Sequence, residues 1–98
     1  MPAYLSLINW TEQGVKNVRE TVNRGKAVEQ AVEKVNGRKI GLWWTMGQYD
    51  AIFLFEAPDD ETASRMLLAT ALQGNVRSST MRCFSEEEMT RIIQGLPS

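Results

Sequence analysis

The sequence predicts an α+β fold of the ferredoxin-like type, β-α-β-β-α-β with an added C-terminal helix, in a single domain over residues 1–98. Three observations carry that prediction. Stretches rich in β-branched and aromatic residues alternate with helical patterns in this order. A glycine-bearing turn, Gly47-Gln48, separates two such stretches in the middle of the chain. A complete capping box, Ser85-Glu86-Glu87-Glu88, opens a last amphipathic segment. A chain of 98 residues has room for one core and no second.

Residues 3–10 (AYLSLINW) read as a strand with apolar side chains at both parities, Leu5 and Leu7 on one face, Tyr4 and Ile8 on the other. Thr11 stands as N-cap for the polar stretch that follows. Val15, Val18 and Val22 recur at helical spacing, and Val28, Ala31, Val32 and Val35 do so again. The phase slips at Asn23-Arg24-Gly25, which predicts two helical pieces or one bent helix, ending at Asn36-Gly37. Residues 39–46 (KIGLWWTM) form the second strand, Gly47-Gln48 a tight connection, and residues 49–57 the third strand. Pro58-Asp59-Asp60-Glu61 opens a helix with its acids where the helix dipole favours them. Ala63, Met66, Leu67, Thr70 and Ala71 supply the inward stripe of that helix, and Gly74-Asn75 ends it. Residues 76–84 form the fourth strand. In the last helix Met89, Ile92, Ile93 and Leu96 make an i, i+3, i+4, i+7 stripe, with Phe84 and Met89 placed as a hydrophobic staple.

Two split βαβ halves close into an antiparallel sheet ordered 4-1-3-2 with helices on one face. The other face of such a sheet is normally polar. Here it is not. Ala51, Phe53 and Phe55 occupy one parity of the third strand and Ile52 and Leu54 the other, and Trp43-Trp44 sends one indole to each face. A second copy of the same sheet is the simplest cover, so a homodimer is expected, with the C-terminal helix as an alternative, partial cover. Burying ~400 Å² of apolar surface per subunit contributes on the order of 10 kcal/mol before association costs. The sequence leaves further assembly of that pair open.

Composition narrows the chemistry. Lys+Arg number 11 and Asp+Glu 12, a net charge of −1, so no basic field recruits nucleic acid or an anionic membrane. Histidine is absent and Cys83 is the single cysteine, which removes His-based triads, the usual zinc sites and an intrachain disulfide. Cys83 has no imidazole to activate it and reads as a small packing residue. The acidic runs Asp59-Asp60-Glu61 and Glu86-Glu87-Glu88 each open a helix, so capping explains them and no metal is expected. Tyr49, Phe53 and Phe55 alternate as RNA-stacking aromatics would, but Asp50 interrupts them and the basic and glycine framework is missing. No phosphate loop or dinucleotide fingerprint occurs, so no cofactor is expected. No targeting segment or spanning stretch is evident and a lone cysteine suits a reducing compartment, so the expected location is the cytoplasm, away from membranes.

The 4-1-3-2 order brings the end of the first strand beside the starts of the third and fourth. Asn9, Trp10, Thr45, Tyr49, Asp50 and Arg77 are thereby expected at one mouth of the sheet. Read as a pocket, Trp10 and Tyr49 are its walls and Arg77 orients an anionic or carbonyl-bearing ligand. Asp50 or Tyr49 is then the available proton-transfer group. Read as structure, Asp50 and Arg77 form an ion pair that fixes strand register, and Tyr49 is a strand aromatic. Trp43-Trp44 likewise divides between aromatic platform and ordinary core and interface packing.

Gly47-Gln48-Tyr49-Asp50 resembles the G-x-Y-D signature of the small bacterial GYD-domain proteins. The likeness extends through Thr11-Glu12-Gln13-Gly14, Glu56-Ala57-Pro58-Asp59-Asp60, Gly74-Asn75-Val76-Arg77 and Phe84-Ser85-Glu86-Glu87. The resemblance implies a dimeric α+β barrel and supplies no reaction. Two functional classes follow as expectations. One is a dimeric barrel that binds a small aromatic or carbonyl-bearing metabolite between its sheets. The other is a non-catalytic assembly or partner-binding module whose barrel is filled by side chains.

Overall fold

The computed structural model describes residues 1–98. In chain order it contains β1 (Ala3–Trp10), α1 (Glu12–Lys16), a 3-10 turn (Val18–Glu20), α2 (Thr21–Lys34), β2 (Arg38–Trp44), β3 (Ala51–Glu56), α3 (Asp60–Leu72), β4 (Val76–Cys83) and α4 (Glu86–Gln94). All strand pairs are antiparallel, in the order β2-β3-β1-β4. Element order and sheet order are those of the expected ferredoxin-like fold with its extra helix.

The strand alternation sorts the side chains as the sequence indicates. Tyr4, Ser6 and Ile8 of β1 lie opposite Phe55, Phe53 and Ala51 of β3, and this face meets the helices. Tyr4, Phe53, Phe55 and Ala57 join Val32 of α2 and Ala63 and Met66 of α3 in the buried core. Phe55 stacks on Tyr4 at 5.3 Å and on Phe53 at 4.9 Å between ring centroids. An irregularity between Lys39 and Gly41 leaves Ile40 without a register partner, so Lys39 stays opposite Phe55 on the helix face and pairs with Glu29 of α2 at 3.2 Å.

Most boundaries follow local chemistry. Thr11 caps α1 by accepting the Gly14 N–H. Asn36 takes φ 64° at the end of α2, where its N–H and that of Gly37 donate to the Glu33 and Val32 carbonyls. That double bond is the Schellman arrangement. The Asp59 carboxylate accepts from Thr62 at the start of α3, and the Thr62 hydroxyl and N–H hold its pKa below the usual range. Ser85 and Glu88 complete the capping box of α4. The Ser85 N–H and then Arg82 pull the Glu88 carboxyl down to about 2.

Some expected boundaries are corrected. The helical break falls at Asn17, whose N–H closes α1 on Gln13, and not at Asn23-Arg24-Gly25. Gly25 sits inside α2 for a packing reason: a Cβ there would stand 2.9 Å from Leu42 Cδ2 and 3.4 Å from the Trp44 ring. The hairpin is not closed by a two-residue turn. β2 ends at Trp44 and β3 begins at Ala51, and the Thr45 N–H bonds the Asp50 carbonyl across the loop between them. Gly47 at φ 107° is the loop residue that needs to be glycine. β4 stops at Cys83, one residue short of expectation.

The Tyr4 hydroxyl donates to Asp60 Oδ1 at 2.5 Å, and burial followed by that carboxylate pushes the phenol up from 10.0 to about 12. The folded chain therefore favours the neutral phenol more than the unfolded chain does. Its contribution is complete below pH 10 and is lost as pH climbs through 12. Discounted for the exposure of Asp60, the contribution is on the order of 1 kcal/mol. In a stability titration, Tyr4→Phe should lose this alkaline step while the parent protein shows it.

The opposite face of the sheet is open. It carries Leu5 and Leu7 of β1, Ile52 and Leu54 of β3, Trp43 of β2 and Met81 of β4. The Trp43 ring folds over Gly41, the one glycine position on this face with room for it. α4 does not cover the face: none of its residues is buried, and Met89, Ile92 and Ile93 are all more than 40% exposed. The chain exposes 6870 Å², against about 5,700 Å² for a compact monomer of this mass. Its radius of gyration is 15.0 Å, against about 12.6 Å for a compact domain of this length. Exposed sheet face and projecting helix account for the excess.

Candidate ligand-binding site

Small side chains leave a space between the helix layer and the sheet. Gly25, Ala27 and Ala31 of α2, Ala69, Thr70 and Ala71 of α3, and Ser78 of β4 all border it. Residues of this size cannot bridge the roughly 10 Å that separates packed layers. The result is a cleft of about 430 Å³, floored by Ile8, Ala51 and Phe53 and flanked by Val28, Leu42, Met66 and Leu67. Trp10 and Trp44 stand at one end. The Trp44 indole N–H donates to Thr21 Oγ1 at 3.1 Å, which fixes the ring between β2 and α2. Ser6 is 1% exposed on the floor, and its hydroxyl is already shared with Thr80 Oγ1 at 2.7 Å.

The residues expected at the mouth of the sheet are brought near one end of β1 and then divided between its two faces. Trp10 lines the cleft. Asn9 and Arg77 are register partners on the open face, and Asn9 Nδ2 donates to the Gln48 carbonyl at 2.9 Å. Asp50 lies in the loop, with its N–H on the Ile8 carbonyl at 2.8 Å and its Oδ2 accepting the Trp10 N–H at 2.9 Å. The Trp10 N–H lies beyond the end of β3, so the carboxylate replaces a missing ladder partner. Thr45 Oγ1 donates to the Tyr49 carbonyl at 2.6 Å and steadies the same loop. Asp50 and Arg77 form no ion pair with each other. No three Asp, Glu or Cys side chains converge in a way that could hold a metal ion.

Other motifs that stand apart in the sequence meet at this end. The Thr11 N–H and Oγ1 donate to the Asn75 and Gly74 carbonyls, and Gln13 Nε2 donates to the Gln73 carbonyl and Asn75 Oδ1. Gly14 packs directly on this turn: a Cβ on it would fall 1.9 Å from the Asn75 carbonyl oxygen. The β1–α1 corner and the α3–β4 corner are thus clasped by one backbone bond and three bonds from the Thr11 and Gln13 side chains. Gly47, Asp50, Thr11, Gly14, Gly74 and Asn75 build the scaffold that surrounds the cleft's end.

Sequence reasoning missed the cleft itself and missed Arg24, which lines it. The available signal was the run of small residues at inward helix positions, which is also what tight helix packing looks like.

A four-stranded antiparallel sheet with this connectivity and its helices on one face defines an α+β protein of the ferredoxin-like class. This chain belongs to the GYD domain family, whose profile matches residues 4–93. It is 30% identical over 82 residues to a Thermus thermophilus protein named glutamine synthetase and cystathionine beta-lyase binding protein, covering 83% of this chain and 86% of that one. Among solved structures, TTHA0845 from Thermus thermophilus superimposes with a TM-score of 0.54 at 21% identity, over 87% of this chain and 95% of that one. That likeness concerns the fold. No helix is long and apolar enough to cross a membrane.

Proposed function

We propose that this GYD-domain protein is a homodimer that binds a small, largely apolar molecule, each subunit holding its ligand in the cleft between its sheet and helices α2 and α3. The observation that carries the binding reading is the cleft of about 430 Å³, which falls within the usual range for small-molecule sites and has an apolar floor. The pairing is supported by the open apolar face and the surplus of roughly 1,200 Å² of exposed surface over a compact monomer. A standard interface takes about 800 Å² from each partner. Two open faces packed together form the α+β barrel, and the α4 stripe extends the contact. Asn9, Tyr49, Asp50 and Arg77 then border the end of the inter-sheet space, and Trp10 belongs to the ligand wall. The reading is one of binding, with Asp50 engaged in holding the loop.

A partner-binding module is the second reading, favoured by the name of the Thermus relative. Native mass spectrometry of freshly purified protein separates the two. A dimer that carries a small extra mass is the expected result. An empty dimer that takes up no small molecule shifts the weight to partner binding. A monomer at micromolar concentration overturns the pairing.

A further inference from the structure

We infer that the cleft is built for an anion: an apolar, preferably aromatic, molecule bearing a carboxylate that docks on Arg24. This deepens the binding reading above and rests on it. Arg24 lies near the start of α2 and lines the cleft. Its Nη1 donates to the Asn17 carbonyl at 2.8 Å, which anchors the guanidinium. Its Nη2 is buried and has no hydrogen-bond partner. It is the one buried side-chain nitrogen or oxygen in the chain left so, and Arg24 takes part in no ion pair. A buried donor on a charged group without a partner costs free energy that a bound acceptor would recover.

The charge around the cleft points the same way. Its lining contains Arg24, Lys34 and Arg65 and not one Asp or Glu, although acids outnumber bases in the chain as a whole, 12 to 11. Arg65 pairs with Glu61 on the exposed side of α3 and Lys34 is exposed, which leaves the half-buried Arg24 as the cation of the lining with a buried, unpartnered nitrogen. A carboxylate in the cleft would pair with this guanidinium once its Nη2 edge turns out of the packing toward the space, where the planar fork can donate two parallel bonds. The aromatic part of the ligand would lie against Trp44, whose indole bonds Thr21, and Trp10, whose backbone N–H the Asp50 carboxylate caps. A purely apolar ligand would leave Nη2 as it is, and a cation would meet repulsion.

The test compares 1-naphthoate with its neutral isostere 1-naphthamide, by calorimetry and by the shift of the Trp44 indole N–H resonance. In the unaltered protein the acid should bind at least tenfold more tightly than the amide. Arg24→Gln should bring the two within about twofold, and Arg24→Lys should keep part of the preference. The comparison in the unaltered protein needs no variant, so it stands even if Arg24→Gln unfolds. Equal binding of both probes would overturn the anion inference and leave the cleft reading intact. Binding of neither at millimolar concentration, with the Trp44 resonance unmoved, would overturn the cleft reading and the inference together.

Discussion

Leu54→Arg should convert the proposed dimer into a folded monomer. Leu54 sits on β3, one of the two inner strands, and faces away from the helices, opposite Leu5 on one side and Gly41 on the other. In the isolated subunit this position borders solvent, so the long Arg side chain can lie along the face and keep its charge in water. In the pair it would bury an uncompensated guanidinium against apolar side chains, and two-fold symmetry would place the offence twice. Truncating or mismatching one side of a buried charge costs about 3–5 kcal/mol. The dimer constant should therefore weaken at least a hundredfold, read by sedimentation equilibrium, while far-UV circular dichroism stays that of the parent. Leu68→Arg on the exposed side of α3, where the residue is 66% exposed, is the control and should remain a dimer. If Leu54→Arg stays dimeric, copies associate through some other surface, and the α4 stripe is the first to examine.

Gly14→Ala should destabilise the fold by about 2–4 kcal/mol, although in an ordinary helix the same change gains up to about 1 kcal/mol. The sign reverses because of position. The new methyl would lie 1.9 Å from the Asn75 carbonyl oxygen and 2.9 Å from its carbon, and neither is the movable end of a side chain. Either α1 or the α3–β4 turn must retreat by more than 1 Å. That retreat breaks the Thr11 N–H bond to Asn75, the Thr11 hydroxyl bond to Gly74 and the Gln13 bonds to the same turn. Each is worth about 1 kcal/mol net. For a domain of this length the melting temperature should fall by roughly 10–25 °C in scanning calorimetry at fixed protein concentration. A fall of less than about 4 °C would mean that α1, only five residues long, swings away without breaking the clasp.

The Gly14 prediction bears on the stretches that carry this chain's resemblance to the GYD family. In this protein the glycine of the G-x-Y-D stretch takes a positive φ in the hairpin loop and its aspartate caps the end of β1. The T-E-Q-G and G-N-V-R stretches meet in the clasp. These residues are tied mainly to backbone geometry, and of the three stretches only Asn75 and Val76 reach the lining of the cleft. A resemblance built on them therefore reports the fold reliably and says little about what is bound.

Much of the fold was legible because it depends on short-range patterns. The span of β1, the Thr11 cap, the Asn36 helix end and the Ser85–Glu88 capping box were all read from adjacent residues, and the structure has them as read. The same holds for the two-sided hydrophobicity of β3, which alternation alone reveals. The misreadings arose where a distant neighbour decides. Gly25 looked like a helix break because glycine weakens a lone helix, but the close approach of β2 is what selects it. Tyr49 and Asp50 looked like strand, but the bond of the Asp50 carboxylate to the Trp10 N–H holds them in the loop.

The division is physical. Strand parity, caps and helix stripes are set by interactions within a few residues, so composition and spacing determined the α+β class, the strand order and the apolar second face. Which small residues face one another across two layers, and so leave a cleft, depends on how α2 and α3 lie over the sheet. Whether a guanidinium nitrogen is buried without a partner depends on every element around it. Those are properties of packing among residues far apart in the chain, and only the tertiary structure placed the cleft beneath the helices and Arg24 at its edge.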